Sequence, residues 1–374
     1  MKFQAERSSL IKALAHIQSV VERRNTVPIL ANVMIDYSNG RIHLTATDME
    51  ILLVEVLEAE GTQDGAVTVA ASVLYEIVRK LPDDVAIELE HAGGTAPLAL
   101  RAGRYATSLN VLPVEDFPTM VTGDLSHSFK LPSATLRRLI DRTRFAVSTE
   151  ETRYYLNGIY LHIADVDGKP ALRAVATDGH RLARTEIPAP PGAPGMPGVI
   201  IPRKTISELR KLLDEDGSDV LIKLSETIIS FEREGMKLTS KLIDGTFPEY
   251  ERVIPKGNDR ILRVSKSDFA TAVGRVAAIS TERSRPVKLA LRENVLTLTA
   301  QSQDQGTATE ELTENSVAYN ATPLEIGFQA RYLHDITDQI DSEVVFSFAD
   351  NAAPVLVTDS TDENVLFVLM PMRV

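Results

Sequence analysis

The chain has 374 residues, 44% of them apolar and 25% charged, a formal net charge of −12, and neither cysteine nor tryptophan. That length fits two or three domains with cores of their own, and the composition is that of a soluble globular protein. The missing cysteines exclude disulfides, thiolate zinc sites and a cysteine nucleophile together, and suit a reducing cytoplasm. No apolar run nears the roughly 18 residues that span a bilayer. The opening Met1-Lys-Phe-Gln-Ala-Glu-Arg7 lacks a signal-peptide pattern, so the mature chain is expected to start there.

In chain order, the first amphipathic helix is predicted over residues 8–20, with Leu10, Leu14, Ile17 and Val21 on one face and Lys12, His16 and Arg23 on the other. A second is expected over 70–81 and a third over 133–145. In the third, Leu136, Leu139, Ile140 and Thr143 face inward and Arg137, Arg138, Arg142 and Arg144 outward. Three more are expected over 203–213, 266–279 and 330–340. Alternating runs between them, at 85–90, 220–224 and 344–348, have the period of half-buried strands. The Pro/Gly-rich stretch 188–198 is read as a long loop inside the second repeat.

One pattern returns along the chain. Arg41-Ile-His-Leu-Thr-Ala-Thr-Asp48 reappears as Leu172-Arg-Ala-Val-Ala-Thr-Asp178, and weakly as Val295-Leu-Thr-Leu-Thr-Ala-Gln-Ser302. Asp48, Asp178 and Ser302 stand 130 and then 124 positions apart, a domain's length and not a solenoid unit's. Each copy holds two strand-then-helix halves of roughly 62 residues, near the lower limit of independent stability, so halves pair into domains. The layout is α+β, two helices per domain on antiparallel sheets, with domains expected at 1–124, 125–254 and 255–374.

Basic residues recur on five of the six helices: Arg79 and Lys80; Arg137, Arg138 and Arg142; Arg203, Lys204, Arg210 and Lys211; Lys266 and Arg275; with Lys12 and Arg23 on the first. The sixth offsets Arg331 and His334 with Asp335 and Asp338. A basic lining inside an acidic protein suits sequence-independent contact with a duplex backbone. Few aromatic residues argue against a single-strand stacking platform. No phosphate-binding glycine loop is present, and the seven histidines lack metal-ligand spacing. The segment Ala176-Thr-Asp-Gly-His-Arg-Leu182 leaves open a hydrolase built on Asp178, His180 and Arg181, against a tight turn after a strand. A monomeric DNA-binding regulator is a further alternative.

Eight segments, in order and from end to end, resemble the bacterial DNA polymerase III beta subunit family, the sliding clamps. They are Met1-Lys-Phe3, Thr26-Val-Pro-Ile-Leu30, Thr45-Ala-Thr-Asp-Met-Glu50, Arg153-Tyr-Tyr-Leu-Asn-Gly158, Ala176-Thr-Asp-Gly-His-Arg-Leu182, Ile201-Pro-Arg-Lys204, Phe247-Pro-Glu-Tyr250 and Met370-Pro-Met-Arg373. The resemblance implies three repeated clamp domains per chain and a cytoplasmic head-to-tail homodimer. Its closed ring would hold helices inside and sheets outside, and confer processivity in DNA replication without catalysis or cofactor. It also implies ring closure by a strand of the first domain pairing with one of the third, with Arg101 and Arg104 on one side. Ala278, Ile279 and the acidic Glu310 and Glu311 stand on the other.

Two further sites follow from the resemblance. A pocket for short hydrophobic peptides of the replicative polymerase, clamp loader and repair proteins would use Leu156, Thr177, Gly179, His180, Arg181, Leu182, Pro248, Arg252, Val253, Val368, Met370, Pro371, Met372 and Arg373. Double-stranded DNA would meet Arg24 and the loop of Arg153, Tyr154 and Tyr155. Arg79, Lys80, Arg137, Arg138, Arg142, Arg203, Lys204 and Lys211 are assigned to the same lining. Glu150 stands where a neutral amide is expected.

Overall fold

The computed structural model describes the chain except residues 23–25, 214–216, 280–285, 314 and 374. Among the described residues six helices form, each directly after a strand: α1 (Arg7–Val20), α2 (Ala71–Lys80), α3 (Ser133–Asp141), α4 (Arg203–Leu212), α5 (Lys266–Ala277) and α6 (Ala330–Thr337). In α1 the buried residues Leu10, Ala13, Leu14, Ile17 and Val20 follow the helical period, so Val20 closes the apolar stripe where Val21 was expected to. The end of α2 is capped from outside. Arg7 donates to the carbonyls of Val78 and Arg79, a cation placed where the helix dipole favours it. Helix α3 stops four residues short of the expected end. The Thr143 hydroxyl donates to the Leu139 carbonyl, an internal bond that competes with the helical ladder, and a 3-10 turn, Arg144–Ala146, follows.

Contacts divide the chain into two compact units that cut through the second repeat: residues 1–137, 190–197 and 204–242, and residues 138–189, 198–203 and 243–374. Each unit is built on a nine-stranded antiparallel sheet of one plan. In the first, strands Gly65–Ala70, Asn32–Ser38, Arg41–Thr47 and Ile51–Glu58 continue into Met236–Lys241, Ile228–Arg233, Asp219–Leu224 and His127–Pro132. In the second, Val199–Pro202, Gly158–Val166, Lys169–Thr177 and Arg181–Pro188 continue into Asp362–Leu369, Val355–Asp359, Glu343–Phe348 and Arg260–Ser265. The seams match: Leu53 faces Leu238 in one, and Ala183 faces Phe367 in the other. A five-stranded sheet completes the first unit and ends on strand Tyr105–Leu109. A four-stranded sheet completes the second and ends on strand Gly306–Leu312.

The Pro/Gly-rich stretch joins strand Arg181–Pro188 to strand Val199–Pro202, and Ala193 and Met196 within it are buried. At Gly158 the second sheet leaves no room for a side chain, since a Cβ there would lie 2.3 Å from the Ile201 carbonyl oxygen. Gly158→Ala is therefore expected to cost about 2–3 kcal/mol, because backbone and not a flexible side chain must yield. Chemical denaturation would show it, and a loss below about 0.5 kcal/mol would mean that strands Gly158–Val166 and Val199–Pro202 separate easily.

Candidate functional site

The repeated Thr-Asp pair has a common structural purpose. After strand Lys169–Thr177, the Thr177 hydroxyl donates to the Arg181 carbonyl and accepts from the Gly179 amide, while Asp178 Oδ1 accepts from the amides of His180 and Arg181. After strand Arg41–Thr47, Thr47 and Asp48 make the same four bonds with Met49, Glu50 and Ile51. Both turns need a left-handed residue after the aspartate: Gly179 at φ 87° and Met49 at φ 78°. Glycine meets that demand without strain and methionine does not. The short polar side chains cap the turn in place of a sheet ladder, which is why the motif recurs in the sequence.

Arg181 pins the second turn. Its side chain is 5% exposed. Nε donates to Asp178 Oδ2 at 3.1 Å, Nη1 to Asp335 Oδ2 at 2.5 Å and Nη2 to the Phe145 carbonyl at 2.6 Å. The guanidinium carbon also lies 4.4 Å from the centre of the Tyr332 ring, a cation–π stack. Burial raises the Tyr332 phenol above its ordinary pKa, and the nearby Asp178 carboxylate adds to this. The His180 ring stacks on the same tyrosine at 6.3 Å. Asp178 and Arg181 are thus committed to each other and to the backbone, so neither is free to act as base or oxyanion donor for a hydrolase at this turn.

Beside the turn lies a cavity of about 1300 Å³ lined by Pro248, Arg252, Val253 and Met370 among the expected residues, with Val253 50% and Met370 40% exposed. Leu156, Leu182 and Val368 are buried in the apolar cluster with Val175, Phe247 and Tyr250. Pro371, Met372 and Arg373 line a separate hollow of about 960 Å³ with Lys288, Glu325 and Gly327. The terminal segment is tied down by backbone bonds from Met370 to the His180 carbonyl and from Met372 to the Gly327 carbonyl, both from the amide.

Sequence reasoning missed the wall of the larger cavity. His162, Tyr160 and Phe247 form a ring stack, with centroids 4.6 and 4.8 Å apart. Behind it His162 Nε2 lies 3.0 Å from the Tyr250 hydroxyl, and Arg173 donates to that hydroxyl, Glu186 and Glu251. Burial holds His162 below the ordinary imidazole pKa, with help from the Arg173 charge. The signal in the sequence was the same-face pair Tyr160 and His162, two positions apart on one strand.

The expected DNA-lining residues divide. Arg24 lies outside the described residues. Arg142 is a correction: it does not face outward but is 9% exposed, with Nη2 on Asp341 at 3.3 Å. The arginine lies just past the helix end at Asp141, where its amide still bonds to the Arg138 carbonyl and its side chain packs inward. Arg138 pairs with the buried Asp362, Lys204 with Asp48, and Lys211 with both oxygens of the buried Glu208. Arg79 pairs with Glu76 and Arg153 with Glu150. Arg137 is half-buried. Lys80, Arg203 and Tyr154 are exposed, and Tyr155 packs against the apolar cluster. At the expected interface, Arg104 is exposed, Arg101 lies 3.2 Å from Glu88, Ala278 is exposed and Ile279 is half-buried.

Against known proteins, the chain matches the DNA polymerase III beta subunit in all three parts, with the N-terminal domain over residues 1–121, the central domain over 130–249 and the C-terminal domain over 251–373. The chain belongs to the DNA polymerase III beta subunit family. It is 50% identical to the beta sliding clamp of Caulobacter vibrioides and 36% identical to that of Escherichia coli, each over 100% of both chains. A crystal structure of the sliding clamp from Bartonella birtlesii bound to griselimycin superposes with a TM-score of 0.96 at 49% identity, covering 100% of both chains. The clamp has three tandem domains of mixed α and β structure and acts in DNA replication as a non-catalytic sliding clamp that tethers replication proteins to DNA. No group of three metal-ligating side chains occurs among the described residues, and no helix there is long and apolar enough to cross a membrane.

Proposed function

We propose that two copies close head to tail in the cytoplasm into a ring that encircles duplex DNA without sequence preference. The observation that carries this is a pair of unpaired sheet edges of opposite charge. Strand Tyr105–Leu109 is an edge flanked by Arg101, which pairs with Glu88, and the exposed Arg104; strand Gly306–Leu312 is an edge that carries Glu310 and Glu311, paired within the chain to Arg275 and Arg292, so a second copy must exchange partners for them. An edge left open invites pairing, and two different complementary edges give a heterologous contact that must close to avoid a filament. A hollow of about 470 Å³ beside Tyr105, with the exposed Val73 on its rim, would accept Ile279 of the second copy.

The basic residues that would line the ring already hold carboxylates in most cases. Phosphates must compete for them, which favours weak contacts steep in salt and permits sliding. Short, partly hydrophobic client peptides would enter the groove of Pro248, Arg252, Val253 and Met370, where methionine adapts to varied side chains. Griselimycin, which the Bartonella birtlesii protein binds, is proposed for the same groove.

Removing residues 370–374 tests the groove and the ring together. Leu369 is wholly buried and paired to Arg181, so the cut falls after it. Fluorescence anisotropy of labelled griselimycin should show binding lost, while light scattering still gives twice the chain mass. Unchanged affinity would place the groove elsewhere, and a single chain mass for the intact protein would overturn the dimer.

A further inference from the structure

The loop proposed to meet DNA ends in the buried apolar cluster that shares Phe247 and Tyr250 with the docking groove. Residues 151–156 form two 3-10 turns separated by a kink at Arg153, with φ −112° and ψ 50°. Leu156 closes the segment in the buried apolar cluster and Tyr155 packs on that cluster, whereas Tyr154 is exposed. The kink carries the Arg153 side chain to two partners. Nε and Nη2 take the two oxygens of Glu150 at 2.8 and 2.6 Å. Nη1 lies against Gly179, so that a Cβ there would come within 2.6 Å of it. Gly179 is the left-handed residue of the Thr177–Arg181 turn, whose next residue, His180, holds the Met370 amide through its carbonyl. One guanidinium therefore covers the groove's turn and belongs to the DNA-facing loop.

We infer that Arg153 couples occupancy of the DNA channel to affinity in the docking groove. Glu150 holds the guanidinium by a two-pronged contact at an exposed site, and a phosphate offers the same two-pronged geometry. When DNA takes the arginine, its Nη1 leaves Gly179 and bares the turn for a ligand. A ligand seated on the turn displaces the arginine and presents it to DNA. Each partner thus strengthens the other by one factor, as linkage requires. This explains the acidic residue at position 150: with no DNA present it keeps the arginine over the turn. The coupling rests on the reading of residues 150–155 as a DNA-facing loop.

The test measures labelled griselimycin on the full-length clamp with and without a 30-bp duplex, for the parent, Arg153→Ala and Glu150→Gln. In the parent, duplex should tighten binding by about 5-fold or more, the lower range of ordinary allosteric coupling. Arg153→Ala should bind tightly from the start and ignore duplex; Glu150→Gln should lie between. An equal response to duplex in the parent and in Arg153→Ala, or none in the parent, would overturn the coupling. Direct titration with labelled duplex separates the underlying reading: if Arg153→Ala combined with Tyr154→Ala leaves duplex affinity unchanged, the loop does not face DNA.

Discussion

Replacing Arg181 with alanine should destabilise the second unit by about 3–5 kcal/mol, the cost of breaking a buried ion pair by removing one partner. The guanidinium answers two carboxylates, one backbone carbonyl and an aromatic face. Alanine leaves Asp178 and Asp335 facing one another across a void. Lysine at this position would keep the charge but not the planar fork, so it should recover less than half the loss. Urea denaturation followed by far-UV circular dichroism, with amide exchange to locate the loss in residues 138–189 and 243–374, provides the measurement. A change below about 1 kcal/mol would show that both carboxylates reach water on their own.

Clamps assembled on a circular plasmid should stay bound through gel filtration and leave within minutes once the plasmid is cut at one site. Topology predicts this all-or-none contrast, because a closed ring has no sideways exit while its contacts to phosphate are weak. Raising the salt should speed the loss from linear DNA far more than from circles. Equal retention on both forms would replace encirclement with ordinary surface binding.

Local features of this architecture were legible because local chemistry dictates them. The stripe of Leu10, Leu14 and Ile17 marked a helix, the alternation through residues 220–224 marked a strand, and the Thr-Asp pairs marked turns whose hydrogen bonds span only four residues. What the sequence hid lies at long separation. Arg138 and Asp362, or Lys204 and Asp48, are more than 150 positions apart, and nothing in a linear reading pairs them. So surplus positive charge on the helices was read as free when much of it is held. Arg142 failed for a smaller reason: the helix ends at Asp141, and the arginine just beyond it is buried against Asp341. The aromatic wall of Tyr160, His162, Phe247 and Tyr250 comes from segments about 90 residues apart, and only the folded sheet collects it.

Each nine-stranded sheet is sewn from halves of successive repeats, at strand Ile51–Glu58 with Met236–Lys241 and at Arg181–Pro188 with Asp362–Leu369. A gene fragment stopping near residue 124 would therefore yield a first repeat whose strand Ile51–Glu58 has lost its neighbour. Its bare amides and carbonyls, flanked by Ile51, Leu53 and Val54, would recruit the same strand of other molecules and drive precipitation. Laboratory dissection of this polypeptide should respect the seams and not the repeats.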